Sequence, residues 1–173
     1  MYHKLVKWEL NKIYVTLLKN KKNYNVEVVA KLIDWFLEGF TVEERNLVKL
    51  AIEAREKAYV PYSKFPVGAA VEMEDGTVFT GCNIENASFG ATNCGERTAI
   101  FKAVSEGHRV IRRIAVVGDM TTFTTPCGIC RQVIAEFASK DIEIILIKNE
   151  EEYVKKTLEE ILPGAFTKED LFK

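Results

Sequence analysis

Two continuously apolar segments in the second half of the chain constrain the fold most strongly. They run from Ile114 to Val117 and from Ile142 to Ile147, and a helical pattern over 129–138 separates them. A strand that is apolar at every position is covered on both faces, and two such strands joined through a helix form a parallel βαβ crossover. The sequence therefore predicts an α/β domain in which helices pack on a sheet.

The segment before this unit predicts a helix followed by a hairpin. Residues 41–44, Thr-Val-Glu-Glu, are a capping box, and apolar residues at helical spacing follow as far as Tyr59. A buried strand is expected over 67–73. Asp75-Gly76 then supplies the positive φ angles of a tight turn, and an antiparallel strand returns over 78–84. A hairpin combined with a crossover makes the predicted sheet mixed.

Two further helices and an N-terminal extension complete the predicted organisation. One helix follows Cys94, and the other occupies 151–162, where Pro163-Gly164 stops it. Residues 1–40 are rich in lysine and differ in character from the rest of the chain. We expect them to form an appended element of unknown role, and residues 41–173 to form the main domain.

The charge and the apolar segments exclude several classes of protein. Lys and Arg number 24 and Asp and Glu number 25, so the net charge is −1 and the chain lacks the basic field of a duplex-binding protein. No segment approaches the roughly 18 uninterrupted apolar residues of a membrane span. The N-terminus also lacks the apolar core of a signal peptide. We therefore expect a cytoplasmic protein that binds neither nucleic acid nor membrane.

Three of the four cysteines fall where strands are expected to pass into helices. Cys94 and Cys127 precede predicted helices, and Cys130 lies in the first turn after Cys127. The free N–H groups and the dipole at a helix N-terminus favour the thiolate and lower the thiol pKa. The C-x-x-C spacing places two sulfurs on one face of a helical turn, where both can bind one ion. The pattern predicts a metal site formed by Cys94, Cys127 and Cys130.

The number of ligands and a neighbouring carboxylate favour a catalytic zinc ion. Three protein ligands leave tetrahedral zinc one position for water, whose pKa the metal lowers. Glu96, two residues after Cys94, is placed to hydrogen-bond that water and to carry protons. Arg97 and Arg131 can offset the negative charge of three thiolates, and Gln132 can donate an amide hydrogen bond near the ligands.

Non-catalytic interpretations of the cysteines stay open. The C-x-x-C pair alone would be typical of a redox-active dithiol, although that interpretation gives Glu96 no role. A closed structural zinc site would use Cys82 as a fourth thiolate, but the spacing from Cys82 to Cys94 is not that of a zinc knuckle. The chain could also be a zinc or redox module in which residues 1–40 recruit a partner.

Motifs around these cysteines resemble a known family. C-x-E at 94–96 and P-C-x-x-C at 126–130 resemble the zinc signature of the nucleobase deaminases, in the variant with Cys in place of His. The short, homotetrameric cytidine deaminases are similar in three further stretches, YSKFPVGAA (62–70), GCNIENA (81–87) and LPGAF (162–166). The resemblance covers about 41–173. It implies an α/β fold, a three-layer α/β/α sandwich with a mixed five-stranded sheet, and one zinc ion per subunit.

The resemblance also implies a reaction and the residues that perform it. The reaction is hydrolytic deamination of cytidine and deoxycytidine to uridine and deoxyuridine with release of ammonia, a step of pyrimidine salvage. Cys94, Cys127 and Cys130 would hold zinc. Glu96 would be the general acid and base, which protonates N3 of cytosine and then the departing amine.

Four residues would contact the substrate if the resemblance holds. Asn83 and Glu85 would bind the ribose 3′-hydroxyl, and Phe65 would pack against the pyrimidine ring. Phe166 would reach the base from an adjacent subunit, so the site would be complete only in the homotetramer. Since the charge of Glu85 would repel a phosphate, a nucleoside is favoured over a nucleotide.

The chain departs from the family pattern at three places. Gly95 stands where alanine is usual, which loosens the start of the helix slightly. Phe89 stands where a tyrosine is common, which removes a hydroxyl. The short form lacks residues 1–40, so the resemblance assigns them no role.

Overall fold

The computed structural model describes residues 44–171, and the first element of this part is helix α1, which occupies 44–55. It is followed by β1 (Gly68–Met73), β2 (Val78–Cys82), a 3-10 turn (Phe89–Ala91), α2 (Gly95–Ser105), β3 (Ile111–Val117), α3 (Gly128–Phe137), β4 (Glu143–Ile147), β5 (Tyr153–Thr157), α4 (Leu158–Ile161) and α5 (Lys168–Leu171). The predicted N-terminal extension over 1–40 and the start of the capping box lie outside the described residues.

The five strands form one mixed sheet in the order β2-β1-β3-β4-β5. β1 is antiparallel to both β2 and β3, β3 is parallel to β4, and β4 is antiparallel to β5. The parallel pair β3 and β4 is joined through α3, which confirms the predicted crossover. The hairpin of β1 and β2 confirms the antiparallel part of the sheet.

Helices cover both faces of the sheet, which confirms the three-layer α/β/α architecture. Consecutive residues of β4 point to opposite faces: Ile144 belongs to one buried cluster and Ile145 to the other. On one face α1 packs through Leu47, Val48 and Ala51. On the other face α2 and α3 pack through Ala99, Ile100, Ala103, Ile134 and Ala135. The N-termini of α2 and α3 thus belong to the same layer.

Glycine permits the closest contact between α2 and the hairpin. A Cβ atom built on Gly81 in β2 would overlap the Ala99 nitrogen and would lie 2.5 Å from the Gly95 carbonyl oxygen. Only a residue without a side chain allows this approach, because the neighbouring atoms are backbone. The contact fixes the start of α2 against the sheet.

A buried ion pair joins two central strands. Glu72 in β1 contacts the Arg113 guanidinium in β3, and only 8% of either side chain is exposed. Arg112 Nη1 adds a second contact to Glu72 Oε1 at 2.8 Å. Breaking a buried ion pair by removing one partner is strongly destabilising, so Glu72 should matter to the stability of the sheet.

Lysines contact or belong to both edge strands of the described sheet. At β2, Lys102 Nζ donates to the Thr80 carbonyl at 2.7 Å. At β5, Lys155 contacts Glu143 at 3.3 Å and Lys156 contacts Glu160 at 2.9 Å.

Among the described residues no helix is both long and apolar enough to cross a membrane.

The structure corrects the predicted helix over 151–162. Tyr153–Thr157 is strand β5, which pairs along its whole length with β4, and the helix that follows is only Leu158–Ile161. Tyr, Val and Thr have high strand propensity, and the unpaired edge of β4 supplies the hydrogen bonds that a strand requires. Thr157 and Glu160 form a capping box that starts the short helix.

The turn and two element ends also differ from the prediction. Gly76 alone has a positive φ in the hairpin turn, +87°, while Asp75 accepts a hydrogen bond from the Thr77 amide at 3.0 Å. Helix α1 ends at residue 55, before the predicted end at Tyr59. β2 ends at Cys82, because the chain beyond it pairs with segments outside the sheet.

Candidate active site

The three predicted cysteine ligands converge at the N-termini of α2 and α3. Cys94 is the N-cap residue of α2, Cys127 is the N-cap residue of α3, and Cys130 lies in the first turn of α3. The three Sγ atoms all lie within 4.8 Å of one another. They meet because the two helices start side by side in the same layer of the sandwich.

The sulfur geometry fits a zinc ion. Two sulfurs that bind one tetrahedral zinc at about 2.3 Å lie about 3.8 Å apart. The Sγ atoms of Cys94 and Cys127 are 3.9 Å apart. Thiolates are also the soft ligands that zinc accepts in proteins. Cys94, Cys127 and Cys130 are therefore the residues that would hold the zinc ion.

The fourth cysteine lies outside this cluster. Cys82 Sγ donates to the Lys57 carbonyl at 3.3 Å. The group of potential metal ligands found in residues 44–171 contains only Cys94, Cys127 and Cys130. The interpretation as a closed site of four thiolates is therefore wrong, and the three-sulfur set leaves a position open.

Hydrogen bonds within the cluster separate the thiol pKa values. The pKa of Cys94 is lowered to about 5, chiefly by its hydrogen bond with Cys130 and then by Arg97. The pKa of Cys130 is raised by the same hydrogen bond with Cys94 and by burial. Cys94 is thus the first of the two to become a thiolate, and metal binding would displace the proton that the pair retains.

Glu96 is a buried carboxyl beside the cluster. Only 3% of the residue is exposed, and its Oε2 atom has no hydrogen-bond partner in the described part of the chain. Burial raises the pKa of this carboxyl, and the charge of Cys94 raises it further. A buried acid with a raised pKa and an unused oxygen is suited to carrying a proton for a bound substrate.

Arg97 lies against the cluster, and Arg131 does not. Arg97 Nη2 is 3.5 Å from Cys94 Sγ and donates to the Thr92 carbonyl at 3.1 Å. Arg131 instead donates through Nε to Pro126 O at 2.7 Å and through Nη1 to Ile161 O at 2.6 Å. Arg97 is therefore the guanidinium that offsets the thiolate charge, while Arg131 holds the turn that precedes Cys127.

Gln132 and Phe166 are joined to each other. The Gln132 amide donates to the Phe166 carbonyl at 2.7 Å, and this bond fastens the C-terminal segment to α3. The Phe166 ring is 59% exposed. A role of Gln132 toward the metal ligands, and of Phe166 toward a base, stays a prediction.

The other three predicted substrate residues lie together. Asn83 is buried, accepts from Val67 N at 2.8 Å and donates to Phe65 O at 2.9 Å. Glu85 accepts from the amides of Tyr62 at 2.8 Å and Ser63 at 3.2 Å. Asn83 and Glu85 therefore hold the segment that carries Phe65, whose side chain is 42% exposed. Contacts of these three residues with a substrate stay predictions.

The sequence did not show how the segment with Asn83 and Glu85 connects to the three cysteines. Ile84 pairs with Asn93 through two backbone hydrogen bonds of 2.9 and 3.0 Å, and Asn93 immediately precedes Cys94. Residues 83–85 form an extended segment, so the side chains of Asn83 and Glu85 lie on one face and the side chain of Ile84 lies on the opposite face. That alternation was the only signal of the arrangement in the sequence.

Comparison with known proteins places the chain in one family. Residues 41–146 match the family described as cytidine and deoxycytidylate deaminase zinc-binding region. A protein of Sporosarcina psychrophila named cytidine deaminase is 52% identical over 130 residues, which are 75% of this chain and 96% of that protein. A protein of the same name from Halalkalibacterium halodurans is 54% identical over 130 residues, 75% of this chain and 98% of that protein.

A solved structure agrees with these relatives. The crystal structure of a cytidine deaminase from Burkholderia pseudomallei is similar to this chain with a TM-score of 0.67 and 46% sequence identity. The similarity covers 70% of this chain and 97% of that chain. The family match spans more than half of the sequence and includes all three cysteine ligands. This chain therefore belongs to the cytidine and deoxycytidylate deaminase family with a zinc-binding region.

Proposed function

We propose that this protein catalyses the zinc-dependent hydrolytic deamination of cytidine and deoxycytidine to uridine and deoxyuridine with release of ammonia. The observation that carries the proposal is the Glu96 carboxyl, which is buried beside three converging sulfurs and has an oxygen without a partner in residues 44–171. A structural zinc site needs no such carboxyl. The relatives named cytidine deaminase, more than half identical over 130 residues, support the same reaction.

Glu96 and Arg97 have different roles in the proposed reaction. When bound, zinc supplies a water molecule that loses its proton near neutral pH. Glu96 takes a proton from the attacking water and passes it to N3 of cytosine while the water oxygen adds to C4. The carboxylate then takes the proton of the new C4 hydroxyl and passes it to the amine, so that the C4–N bond breaks, ammonia leaves and the C4 carbonyl forms. The raised pKa of Glu96 fits both transfers. Arg97, 3.5 Å from Cys94 Sγ, reduces the negative charge of the thiolates and thereby favours ionisation of the water.

The substrate contacts proposed for this chain select a nucleoside. Asn83 and Glu85 bind the ribose 3′-hydroxyl, and Phe65 packs against the pyrimidine ring. The Glu85 carboxylate would repel a nearby phosphate, so deamination of cytidine should exceed that of cytidine monophosphate and deoxycytidine monophosphate. A chain that preferred a monophosphate would contradict this part of the proposal.

Three variants test the reaction and the ligands together. Ammonia release and the loss of cytidine absorbance are measured beside zinc content. Glu96→Gln should keep zinc and lose about 10²- to 10⁴-fold in turnover, and Cys127→Ala should lose both zinc and activity. Cys82→Ala is the matched control and should keep both. Full turnover of Glu96→Gln, or stoichiometric zinc in Cys127→Ala, would contradict the assignment.

The same preparations decide between the enzyme and a redox module. A redox-active dithiol would react with thiol reagents and release no ammonia from any cytidine substrate. The absence of ammonia, together with reactive Cys127 and Cys130 thiols before chelation, would favour that alternative.

We propose further that the active enzyme is a homotetramer in which Phe166 closes the site of an adjacent subunit. The exposed aromatic ring of Phe166 and the 63% exposed Ile129 on α3 support a surface that a second copy covers. A groove lined by Phe101, Val133 and Phe137 continues this surface along α3. Burial of such an apolar face would stabilise the assembly.

Mixed assemblies test whether Phe166 acts between subunits. Glu96→Gln and Phe166→Ala chains should each be weakly active alone. If Phe166 acts in trans, random mixing restores about a quarter of the sites, because an intact Glu96 can then meet an intact Phe166. A mixture of Glu96→Gln and Cys127→Ala chains is the control. Both defects lie in the part of the site that one subunit supplies, so exchange of subunits should restore no activity. No recovery, or a monomeric mass by light scattering, would contradict the proposal.

The cellular setting follows from the thiols and the reaction. All four cysteines are free, and thiolate ligands persist in the reducing cytoplasm, where we place the protein in pyrimidine salvage. Residues 41–173 form the catalytic domain and residues 1–40 the N-terminal extension. Deamination in the cytoplasmic fraction, with little in other fractions, is the expected result.

A further inference from the structure

A short extended segment, Asn83–Glu85, lies between two parts of the site. On one side, Tyr59 N donates to Asn83 O at 3.0 Å and Glu85 N donates to Tyr59 O at 2.9 Å. On the other side, Ile84 and Asn93 exchange two backbone hydrogen bonds. Because Asn93 precedes the metal ligand Cys94, this segment connects the chain around Phe65 to the metal cluster.

The Glu85 carboxylate fastens a loop to this segment. We call residues 62–65 the Phe65 loop. Glu85 Oε2 accepts from Tyr62 N at 2.8 Å and from Ser63 N at 3.2 Å, and Oε1 lies 3.3 Å from the same Ser63 nitrogen. Hydrogen bonds to an ionised acceptor are about twice as strong as neutral ones. One side chain therefore holds two successive amides of the loop.

The conformation of the loop requires such support. Lys64 has a φ of +57°, the only positive φ of a non-glycine residue in the described part of the chain. A lysine is unfavourable in the left-handed region and persists there only when its surroundings hold it. Within the loop, Ser63 Oγ accepts from Phe65 N at 3.0 Å. The Glu85 bonds on the preceding residues supply the constraint from outside the loop.

The Phe65 ring depends on its backbone for its position. The residue is 42% exposed, so packing in the core does not fix the ring. Its carbonyl is held by Asn83 Nδ2, and the two amides before Lys64 are held by Glu85. If the Glu85 bonds are lost, Asn83 still holds the Phe65 carbonyl, but the start of the loop loses its attachment and the Phe65 ring is less firmly placed relative to Cys94.

We propose that Glu85 is a positioning residue that fixes the Phe65 loop relative to the metal cluster, in addition to its proposed contact with the ribose. Its effect on catalysis rests on the proposed function, whereas its effect on the loop does not. The Glu85 carboxylate meets a substrate hydroxyl in one contact and backbone amides in the other, so a substrate without that hydroxyl separates the two by experiment.

Amide hydrogen exchange tests the loop contact without any substrate. The zinc-loaded full chain is compared with Glu85→Ala and Glu85→Gln by residue-resolved NMR. Glu85→Ala should speed the exchange of the Tyr62 and Ser63 amides about tenfold or more, and Glu85→Gln should speed it less, since one oxygen remains. Asp75→Asn is the matched control, because Asp75 accepts from the Thr77 amide in the distant hairpin turn. Unchanged exchange in folded Glu85→Ala would overturn the proposal.

A substrate without the 3′-hydroxyl tests the catalytic consequence. If Glu85 contacted only the sugar, Glu85→Ala would lower kcat/KM for cytidine and leave it unchanged for 3′-deoxycytidine. Because Glu85 also positions the loop, we expect kcat/KM for 3′-deoxycytidine to fall about tenfold as well. Equal kcat/KM of wild type and Glu85→Ala on 3′-deoxycytidine would overturn the catalytic part.

The exchange and kinetic experiments separate failure of this inference from failure of the proposed function. If the wild-type chain released no ammonia, the proposed function would be wrong, and the exchange rates would still show whether Glu85 holds the Phe65 loop. If Glu85→Ala did not fold, the smaller acceleration in Glu85→Gln would carry the test. Identical exchange in Glu85→Gln and wild type would then count against the proposal.

Discussion

Cys94 Sγ lies 3.9 Å from Cys127 Sγ, although 33 positions separate the two residues in the chain. The separation is that of two sulfurs on one tetrahedral ion, and each residue is the N-cap of its helix. The metal would therefore join α2 to α3 as well as supply chemistry.

Removal of zinc should destabilise the fold. An ion that binds the folded chain at about a thousand times its Kd contributes about 4 kcal/mol, which corresponds to about 10 °C in melting temperature for a domain of this size. Differential scanning calorimetry with and without a chelator measures the change. Cys82→Ala should show the same chelator effect, since Cys82 lies outside the cluster. A melting temperature that chelation does not alter would contradict the role of the metal in joining the helices.

Two glycine positions should differ in their tolerance of alanine. A Cβ on Gly81 would overlap the Ala99 backbone, so Gly81→Ala should cost about 3 kcal/mol of unfolding free energy or more. A Cβ on Gly95 would lie 3.0 Å from Val67 O and 3.4 Å from Cys82 Cα. Alanine also favours the helix, so Gly95→Ala should change stability by less than about 1 kcal/mol. Urea unfolding compares the pair, and equal costs would contradict the packing argument.

The buried Glu72 should contribute far more to stability than a partly exposed carboxylate of the same sheet. Glu72→Gln removes the negative charge that faces the buried Arg113 guanidinium, so a loss of about 3 kcal/mol is expected. Glu143, which pairs with Lys155 at 3.3 Å in a partly exposed position, is the control, and Glu143→Gln should cost less than about 1 kcal/mol. Similar urea midpoints of the two variants would show that the buried pair is not essential.

Protection of the Phe65 loop should decline in acid. The pKa of Glu85 is lowered from 4.5, chiefly by Ser63, with help from the Tyr62 amide and the charge of Lys64. A carboxylate with a lowered pKa stabilises the folded loop above 4.5 and loses that effect as pH falls through its lower folded value. Exchange rates of the Tyr62 and Ser63 amides, corrected for intrinsic rates, should show this decline. Glu85→Gln should remove the pH dependence, and a persistent decline in that variant would assign it to another group.

The sequence predicted those parts of the fold and the site that depend on local pattern. The apolar runs of β3 and β4 defined a crossover, and cysteines at helix starts defined the cluster, because both signals lie within a few residues. The strand at Tyr153–Thr157 was missed, since its pairing depends on the free edge of β4, to which no local pattern points. A short segment with mixed propensities adopts whatever the neighbouring edge stabilises.

Hydrogen bonds between distant segments were also beyond prediction. Arg97 and Arg131 both stand beside cluster residues in the sequence, yet only Arg97 contacts a sulfur, because Arg131 extends to the Ile161 carbonyl. The bonds from Glu85 to the Phe65 loop join residues more than twenty positions apart. Which acceptor a long side chain reaches depends on the packed arrangement of its neighbours.

The lysines at both margins of the sheet have a consequence for self-association. Lys102 donates to the Thr80 carbonyl of the edge strand β2, and the other edge strand, β5, contains Lys155 and Lys156. An incoming strand would have to displace or desolvate these charges before it could add to either side. Fibril-like growth by addition of strands to the sheet of residues 44–171 is thereby disfavoured, which leaves the helical and aromatic surfaces of this part as the better candidates for contact between copies.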